Sequence, residues 1–453
     1  MKARLGLGRS YRRILYSLFV RFSGNLSDVM SGCLPAFSEG QFPVVDWLFL
    51  DLNSYFASVE QQDVPELRGR PIGVVAVDTD STCCLAASYE AKTYGVKTGT
   101  SVVDAKTLCP HIKIVVARPK LYVEYQQKII QAMEEHLPVY KAFSVDEMAC
   151  RLMGRERFLP NATTLGYRIK QSIRNLGAAL RCSIGLSCNC YLSKTAADLC
   201  KPDGLTVLIK KDLPNALYCM KLRDVVGISH AMERRLLNRG ITTVEQLCKL
   251  SSQQMRDIWG SVVGETMWYW LRGEDWQEKA QPPRKSIGKQ HVLAPKYRTK
   301  DNAYRVGLKL LSNAAIKLRR LNMWARGIGI TVVFTRRFQE IRNEADPSGW
   351  NAHRSIHDCR DTMTLQDHFR ELWRDCPSNT PVHVGVWLSD LIPDELRSLG
   401  LFDDERRETV SSTMDQINKR FGQHMVYLGG LHGLGDAAPT RIPFFSVPEL
   451  ADF

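Results

Sequence analysis

Val45-Asp-Trp-Leu-Phe-Leu-Asp-Leu-Asn-Ser-Tyr-Phe-Ala-Ser-Val-Glu60 is the stretch on which the fold turns. Its first six residues read as a buried strand that delivers Asp51 at its end. A helix over Ser54 to Gln62 follows at once. A second apolar strand, Ile72 to Val77, lies beyond a loop made by Pro65 and Gly69-Arg-Pro71. Lys113 to Val116 is a further short strand, and Leu121 to His136 a helix. Ala142 to Leu152 reads as a hairpin carrying the acidic pair Asp146-Glu147. A helix over Thr164 to Leu180, a strand over Arg181 to Leu186 and a helix over Cys190 to Cys200 complete this unit. The order is βαββαβ-like, which predicts a small sheet with helices on one face.

From Asp212 to Trp276 the pattern is helical throughout. Capping boxes are expected at Thr242-x-x-Glu245 and Ser251-x-x-Gln254. Val226-Gly-Ile-Ser229, before a helix ending at Arg239-Gly240, reads either as a helix-hairpin-helix or as a plain αα-hairpin. In the first case its backbone N–H groups can hold DNA phosphates. Gln277 to Lys285 is a polar, Pro-containing linker. Strand Gly288 to Leu293, helix Asn302 to Leu321 and strand Gly327 to Phe334 open a second α/β unit. Helix Thr364 to Trp373, strand Val382 to Leu388 and helix Asp404 to Phe421 close it, with loop from Gly429 to Ala438. His353 and His357 are four apart in a segment without an acidic motif, so no metal site is expected there.

A chain of 453 residues with 44% hydrophobic content has room for two to four compact units. The net charge of +13 points to a polyanionic partner. Its distribution is sharper: Arg284 to Arg342 holds fifteen Lys or Arg against Asp301 and Glu340. A solvated basic face is the bland explanation, whereas concentration in one unit favours phosphate-backbone binding. The thirteen cysteines include no Cys-x-x-Cys, which argues against a zinc ribbon and fits free thiols in a reducing cytoplasm. The apolar run Ile14 to Val20 is too short for a signal core or a membrane span, so residues 1–43 are expected to be a mobile extension and Met30 an alternative start. No membrane association is expected.

Asp51 and the Asp146-Glu147 pair each sit at the end or turn of an apolar strand. Carboxylates gathered at a sheet edge repel unless cations neutralise them. Mg²⁺ suits such a site because it takes oxygen ligands and shares its coordination with substrate phosphates. A strand-end Asp taken alone is more often a turn residue or a helix cap. Here the surrounding residues decide. Phe49-Leu-Asp-Leu-Asn-Ser-Tyr-Phe-Ala-Ser-Val-Glu60, Ala87-Ser-Tyr-Glu-Ala-Lys-Thr-Tyr-Gly-Val96 and Phe143-Ser-Val-Asp-Glu147 resemble, in order, the first acidic, finger and second acidic motifs of Y-family translesion DNA polymerases. Ser183-Ile-Gly-Leu-Ser-Cys-Asn189 with Ala196-Ala-Asp-Leu-Cys-Lys-Pro-Asp-Gly204 resembles the palm helix motif, and Lys285-Ser-Ile-Gly288 the start of the little finger.

The resemblance implies an α+β multidomain fold shaped as a right hand. It comprises a palm over 44–208 with fingers inserted at about 55–117, an all-α helix-hairpin-helix thumb over 209–278, a linker at 279–286, a little finger over 287–435 and a tail over 436–453. It implies that Asp51, Asp146, Glu147 and the Leu52 carbonyl hold two Mg²⁺ ions, with Mn²⁺ the alternative. Tyr89, Lys92 and Lys201 would grip the incoming dNTP, and Phe56 would be the steric gate against a ribose 2′-OH. For Phe56 an ordinary core aromatic is the competing reading, and for Lys92 a solvated helix lysine. Primer-template DNA is the implied partner, bound by a monomer in the cytoplasm at the nucleoid. Ser398-Leu-Gly-Leu-Phe402 resembles a sliding-clamp pentapeptide with Ser in place of Gln; an amphipathic turn is the competing reading. Three positions depart from the family pattern: Asn53, where many members have Asp and whose place beside the metals bears on their affinity, Ala86, where a hydroxyl is common, and Cys190, where Lys is frequent. A catalytically inactive accessory protein that binds DNA is the rival function, with a metal-dependent nuclease third.

Overall fold

The structure, a computed structural model, describes residues 43–80, 82–276, 284–335, 349–397, 405–422, 425–434, 437 and 442. The chain divides into two compact units, residues 1–278 with 442–452, and residues 279–441. The extension before residue 43, most of the linker and the pentapeptide at 398–402 lie outside the described residues.

The first unit opens with β1 (Trp47–Leu52) and α1 (Tyr55–Asp63). Next come β2 (Ile72–Val75), β3 (Cys84–Ala87), α2 (Tyr89–Lys92), α3 (Val102–Leu108) and β4 (Lys113–Val116). These three strands form their own sheet in the order β3-β2-β4, over a small core that includes Val75, Val96 and Ile112. The chain returns through α4 (Pro119–Glu134), β5 (Lys141–Ala142), β6 (Glu147–Arg151), α5 (Leu159–Leu176), β7 (Cys182–Ser187), α6 (Cys190–Leu199) and β8 (Leu205–Leu208). A five-stranded sheet results, ordered β5-β6-β1-β7-β8. Helix α5 starts five residues before the expected Thr164, because Pro160 in its first turn is favourable there rather than disruptive.

All six residues of β1 are buried, and alternation explains how. Leu48, Leu50 and Leu52 enter the main core with Ile169 and Ile173 of α5, whereas Trp47 and Phe49 pack with Ala149 and Ala197 on the opposite face. Helices therefore cover both faces, and the expectation of helices on one face is corrected. The continuous run Trp47-Leu-Phe-Leu50 is what a doubly covered strand requires. Gly185, the Cα partner of Phe49, lets α6 lie close: an added Cβ would stand 1.9 Å from the Ser193 carbonyl oxygen and 2.5 Å from the Ala197 nitrogen. Both atoms are backbone and cannot step aside. Gly185→Ala is expected to cost about 3 kcal/mol and to lower Tm by several degrees, as read by calorimetry.

Among the described residues, the stretch from 210 to 276 is helical, with α7 (His230–Leu237), α8 (Val244–Cys248), α9 (Ser252–Trp259) and α10 (Val262–Trp270). Ser251 and Gln254 form the expected capping box. The other is one residue later than expected, at Thr243 and Gln246, because Val244, Leu247 and Cys248 are the residues that must face inward. Gly240, at φ 76°, makes the turn between α7 and α8.

The second unit holds β9 (Ser286–Val292), α11 (Lys300–Arg320), β10 (Met323–Phe334), β11 (Gly349–Cys359), α12 (Thr362–Trp373), β12 (Pro381–Ser389) and α13 (Glu405–Phe421). Its antiparallel sheet is ordered β11-β10-β12-β9, with the core shared by α11 and α12. Strand β11 was not expected from the sequence. It is an edge strand, and most of its side chains are exposed or half-buried, so it lacks the apolar alternation that marks a strand. His353 and His357 lie along it, about 13 Å apart at strand rise, too far to share an ion.

Candidate active site

The acidic residues meet because of register. Asp51 and Glu147 are Cα partners across β1 and β6, so their side chains leave the same face of the sheet, the face covered by α6. Asp146 sits in the hairpin turn, its carbonyl accepting the Leu52 N–H at 2.9 Å and its carboxylate accepting the Ser144 hydroxyl at 2.5 Å. Three carboxylates thus lie within electrostatic reach of one another at the ends of β1 and β6, with Asp51 only 5% exposed, although no three acids among the described residues converge as the ligands of one ion would. Burial, reinforced by the neighbouring acids, raises the pKa of both Asp146 and Glu147. The centre therefore favours any cation that can enter.

Two ammonium groups occupy it. Lys194 Nζ lies 2.5 Å from Asp51 Oδ2, 2.7 Å from Glu147 Oε1 and 3.2 Å from Asp198 Oδ1. Lys201 Nζ lies 2.7 Å from Asp51 Oδ1 and 2.7 Å from Asp198 Oδ1. Burial pushes the Lys194 pKa down, but Asp51, Asp198 and Glu147 outweigh it and hold the ammonium well above the usual lysine range. Oxygen donors that already collect cations at these distances fit a hard divalent ion. Lys194 and Asp198 were missed from the sequence. Their signal was present, since residues 194, 198 and 201 follow the i, i+4, i+7 spacing of one helical face.

Helix α2 supplies the other expected cation. The Ser88 hydroxyl caps it by accepting the Ala91 N–H, which sets Tyr89 and Lys92 on the next turn. Lys92 Nζ stands 4.3 Å from the centre of the Tyr89 ring and donates to Ser54 Oγ at 2.7 Å. Burial lowers the Lys92 pKa, with Lys201 adding to the effect; burial raises that of Tyr89. Both groups lie within electrostatic reach of Lys201 and Asp51. The structure thus brings together Tyr89, Lys92, Lys201 and the acidic edge.

Phe56 is half-buried and stacks on Tyr122, ring centres 4.5 Å apart. Tyr122 is held in turn. Its hydroxyl donates to the buried Glu60 carboxylate at 2.7 Å, and Arg118 grips both Glu60 and, at 2.6 Å, Asp63. Residues 60–63 leave the five-stranded sheet for the smaller one and 118–122 return from it, so this network pins both crossings.

Asn53 is explained differently from the sequence reading. It is buried, its amide donates to Ser183 Oγ at 3.0 Å, and its carbonyl accepts the Asp203 N–H at 2.7 Å. It braces the turn after Lys201, so its departure from Asp bears on that turn rather than on the carboxylates. The buried Lys170 ammonium braces the same turn, donating to the carbonyls of Cys182, Asp203 and Gly204. Cys190 packs against the Trp47, Phe49, Ala149 and Ala197 cluster, and Ala86 is buried in β3.

Residues 50–198 match the impB/mucB/samB family and residues 284–401 its C-terminal domain. The DNA polymerase IV of Moorella thermoacetica is 33% identical over 393 residues, covering 84% of this chain and 94% of that protein. That of Pelotomaculum thermopropionicum is 30% identical, covering 84% and 93%. Among solved structures, a Y-family DNA polymerase chimera superposes with a TM-score of 0.62 at 24% identity, over 77% of this chain and 99% of that one. A DinB structure from Sulfolobus solfataricus gives 0.51 at 22% identity, with the same coverage. Such structural likeness carries the right-hand polymerase fold, and the closer relatives carry the family. The chain belongs to the impB/mucB/samB family, the Y-family, DinB-like DNA polymerases. Members of this family generally use divalent metal ions.

Proposed function

We propose that this translesion DNA polymerase extends a primer by two-metal nucleotidyl transfer centred on Asp51, Asp146 and Glu147. The observation that carries the reading is the register of Asp51 against Glu147, with ammonium groups drawn onto their oxygens. Two Mg²⁺ ions held by Asp51, Asp146, Glu147 and the Leu52 carbonyl would lower the pKa of the primer 3′-OH and stabilise the departing pyrophosphate. Tyr89 donates its hydroxyl to the triphosphate, and Lys92 and Lys201 neutralise it. Phe56, backed by Tyr122, fills the space a ribose 2′-OH needs. The protein mainly positions and neutralises, as phosphoryl transfer demands. The basic stretch from Arg284 onward fits the DNA backbone, and residues 398–402 are the proposed sliding-clamp contact. Primer extension by the full chain on undamaged and abasic-site templates tests the reading. Mg²⁺-dependent extension of both supports it. DNA binding with no extension of either overturns it in favour of the accessory reading.

The lowered pKa of Lys92 gives a pH prediction. A lysine loses its charge as pH rises through its pKa, so kcat/KM for dNTP should fall on the alkaline side with a midpoint below the ordinary 10.5. Lys92→Arg should move that limb upward, because guanidinium stays protonated.

A further inference from the structure

We infer that Lys194 is a built-in counter-cation of the metal centre, occupying the carboxylate oxygens until a divalent ion displaces it onto Asp198. This rests on the metal reading above and deepens it. Lys194 and Lys201 together engage both Asp51 oxygens and one Glu147 oxygen, which are the atoms that a divalent ion would need. An ion cannot share them at these distances, so binding must move the ammonium. Asp198 provides the place to go. It lies one helical turn from Lys194, already 3.2 Å from Nζ, and its side chain is 33% exposed against 6% for Asp51. The ammonium therefore exchanges three carboxylates for one without leaving α6 or crossing into bulk water.

The arrangement has two consequences of opposite sign. Without Lys194, Glu147 and Asp146 lose the cation that faces them and only Lys201 remains, on Asp51, so the metal-free protein loses stability while its pull on a divalent ion grows. Without the Asp198 charge, a displaced Lys194 has nowhere to settle, so the ion binds less tightly. The second effect exists only while Lys194 is present. General electrostatics would instead add the two effects.

The test is a Mn²⁺ titration of the full chain, without DNA or dNTP, following free Mn²⁺ by electron paramagnetic resonance. Melting in chelator and in Mn²⁺ is measured alongside. Lys194→Met is expected to lower the Mn²⁺ Kd by about tenfold, to melt earlier in chelator and to gain more from Mn²⁺ than the wild type. Asp198→Asn should raise the Kd by about threefold in the wild type and leave it unchanged in the Lys194→Met background. An unchanged or weaker Kd in folded Lys194→Met overturns the proposal. Equal effects of Asp198→Asn in both backgrounds overturn it as well. Where Lys194→Met does not fold, Lys194→Gln replaces it in both arms with the same deciding outcomes, and an unchanged Kd in Asp198→Asn alone decides against the proposal. Failure of the wild type itself to bind Mn²⁺ sinks the metal reading together with this one.

Discussion

Asp51→Asn is expected to reduce single-turnover nucleotide incorporation by about 10³-fold or more while leaving primer-template affinity within about twofold. The size follows from what the carboxylate does. Asp51 is the most buried of the three acids and faces Glu147 in register, so it is placed to bridge cations rather than to bind one loosely. Losing its charge removes several kcal/mol of stabilisation at the point where negative charge builds in the transition state. The change is isosteric, and the Lys194 and Lys201 contacts it weakens lie inside the site, so folding should survive. DNA affinity should hold because the basic stretch proposed to meet phosphates lies elsewhere in the sequence, from Arg284 to Arg342. Equal activity of Asp51→Asn and wild type would remove this carboxylate from the chemistry.

Phe56→Ala is the second large effect, and it concerns choice of sugar rather than rate. The ring is half-buried and stacked on Tyr122, which is fixed by Glu60 and Arg118. A ring so backed cannot retreat from an added hydroxyl, and forcing overlap in a packed site costs about 1–3 kcal/mol. Removing the ring should therefore raise ribonucleotide incorporation relative to deoxyribonucleotide by roughly 5- to 150-fold. Competition between labelled rNTP and dNTP measures the ratio. Tyr122→Leu should show a smaller shift in the same direction, since Phe56 keeps its bulk and loses its backing. A ratio unchanged in Phe56→Ala would return this residue to the ordinary core.

Much of this was legible in the sequence because the relevant signals are local. The apolar run ending at Asp51 gave the central strand, and Asp146-Glu147 in a hairpin gave its partner. Motif order placed Tyr89, Lys92 and Lys201 on one candidate site, and the structure brings them together. What escaped depends on contacts distant in sequence. Asn53 looked like a metal-site departure until its amide was seen bound to Ser183 and Asp203. Coverage of both sheet faces was signalled by the continuous run Trp47-Leu-Phe-Leu50, but that α6 is the helix on the second face depends on Gly185, distant in sequence, which admits it. Strand β11 was hidden because an edge strand with mostly exposed side chains carries no apolar alternation.

The most direct test of the metal centre is to count Mn²⁺ ions on the protein bound to primer-template and a non-hydrolysable dNTP, by electron paramagnetic resonance at saturating ligand. Two ions per wild-type chain are predicted, with at least one lost in Asp51→Asn. A count of none, or the same count in both proteins, would contradict the account.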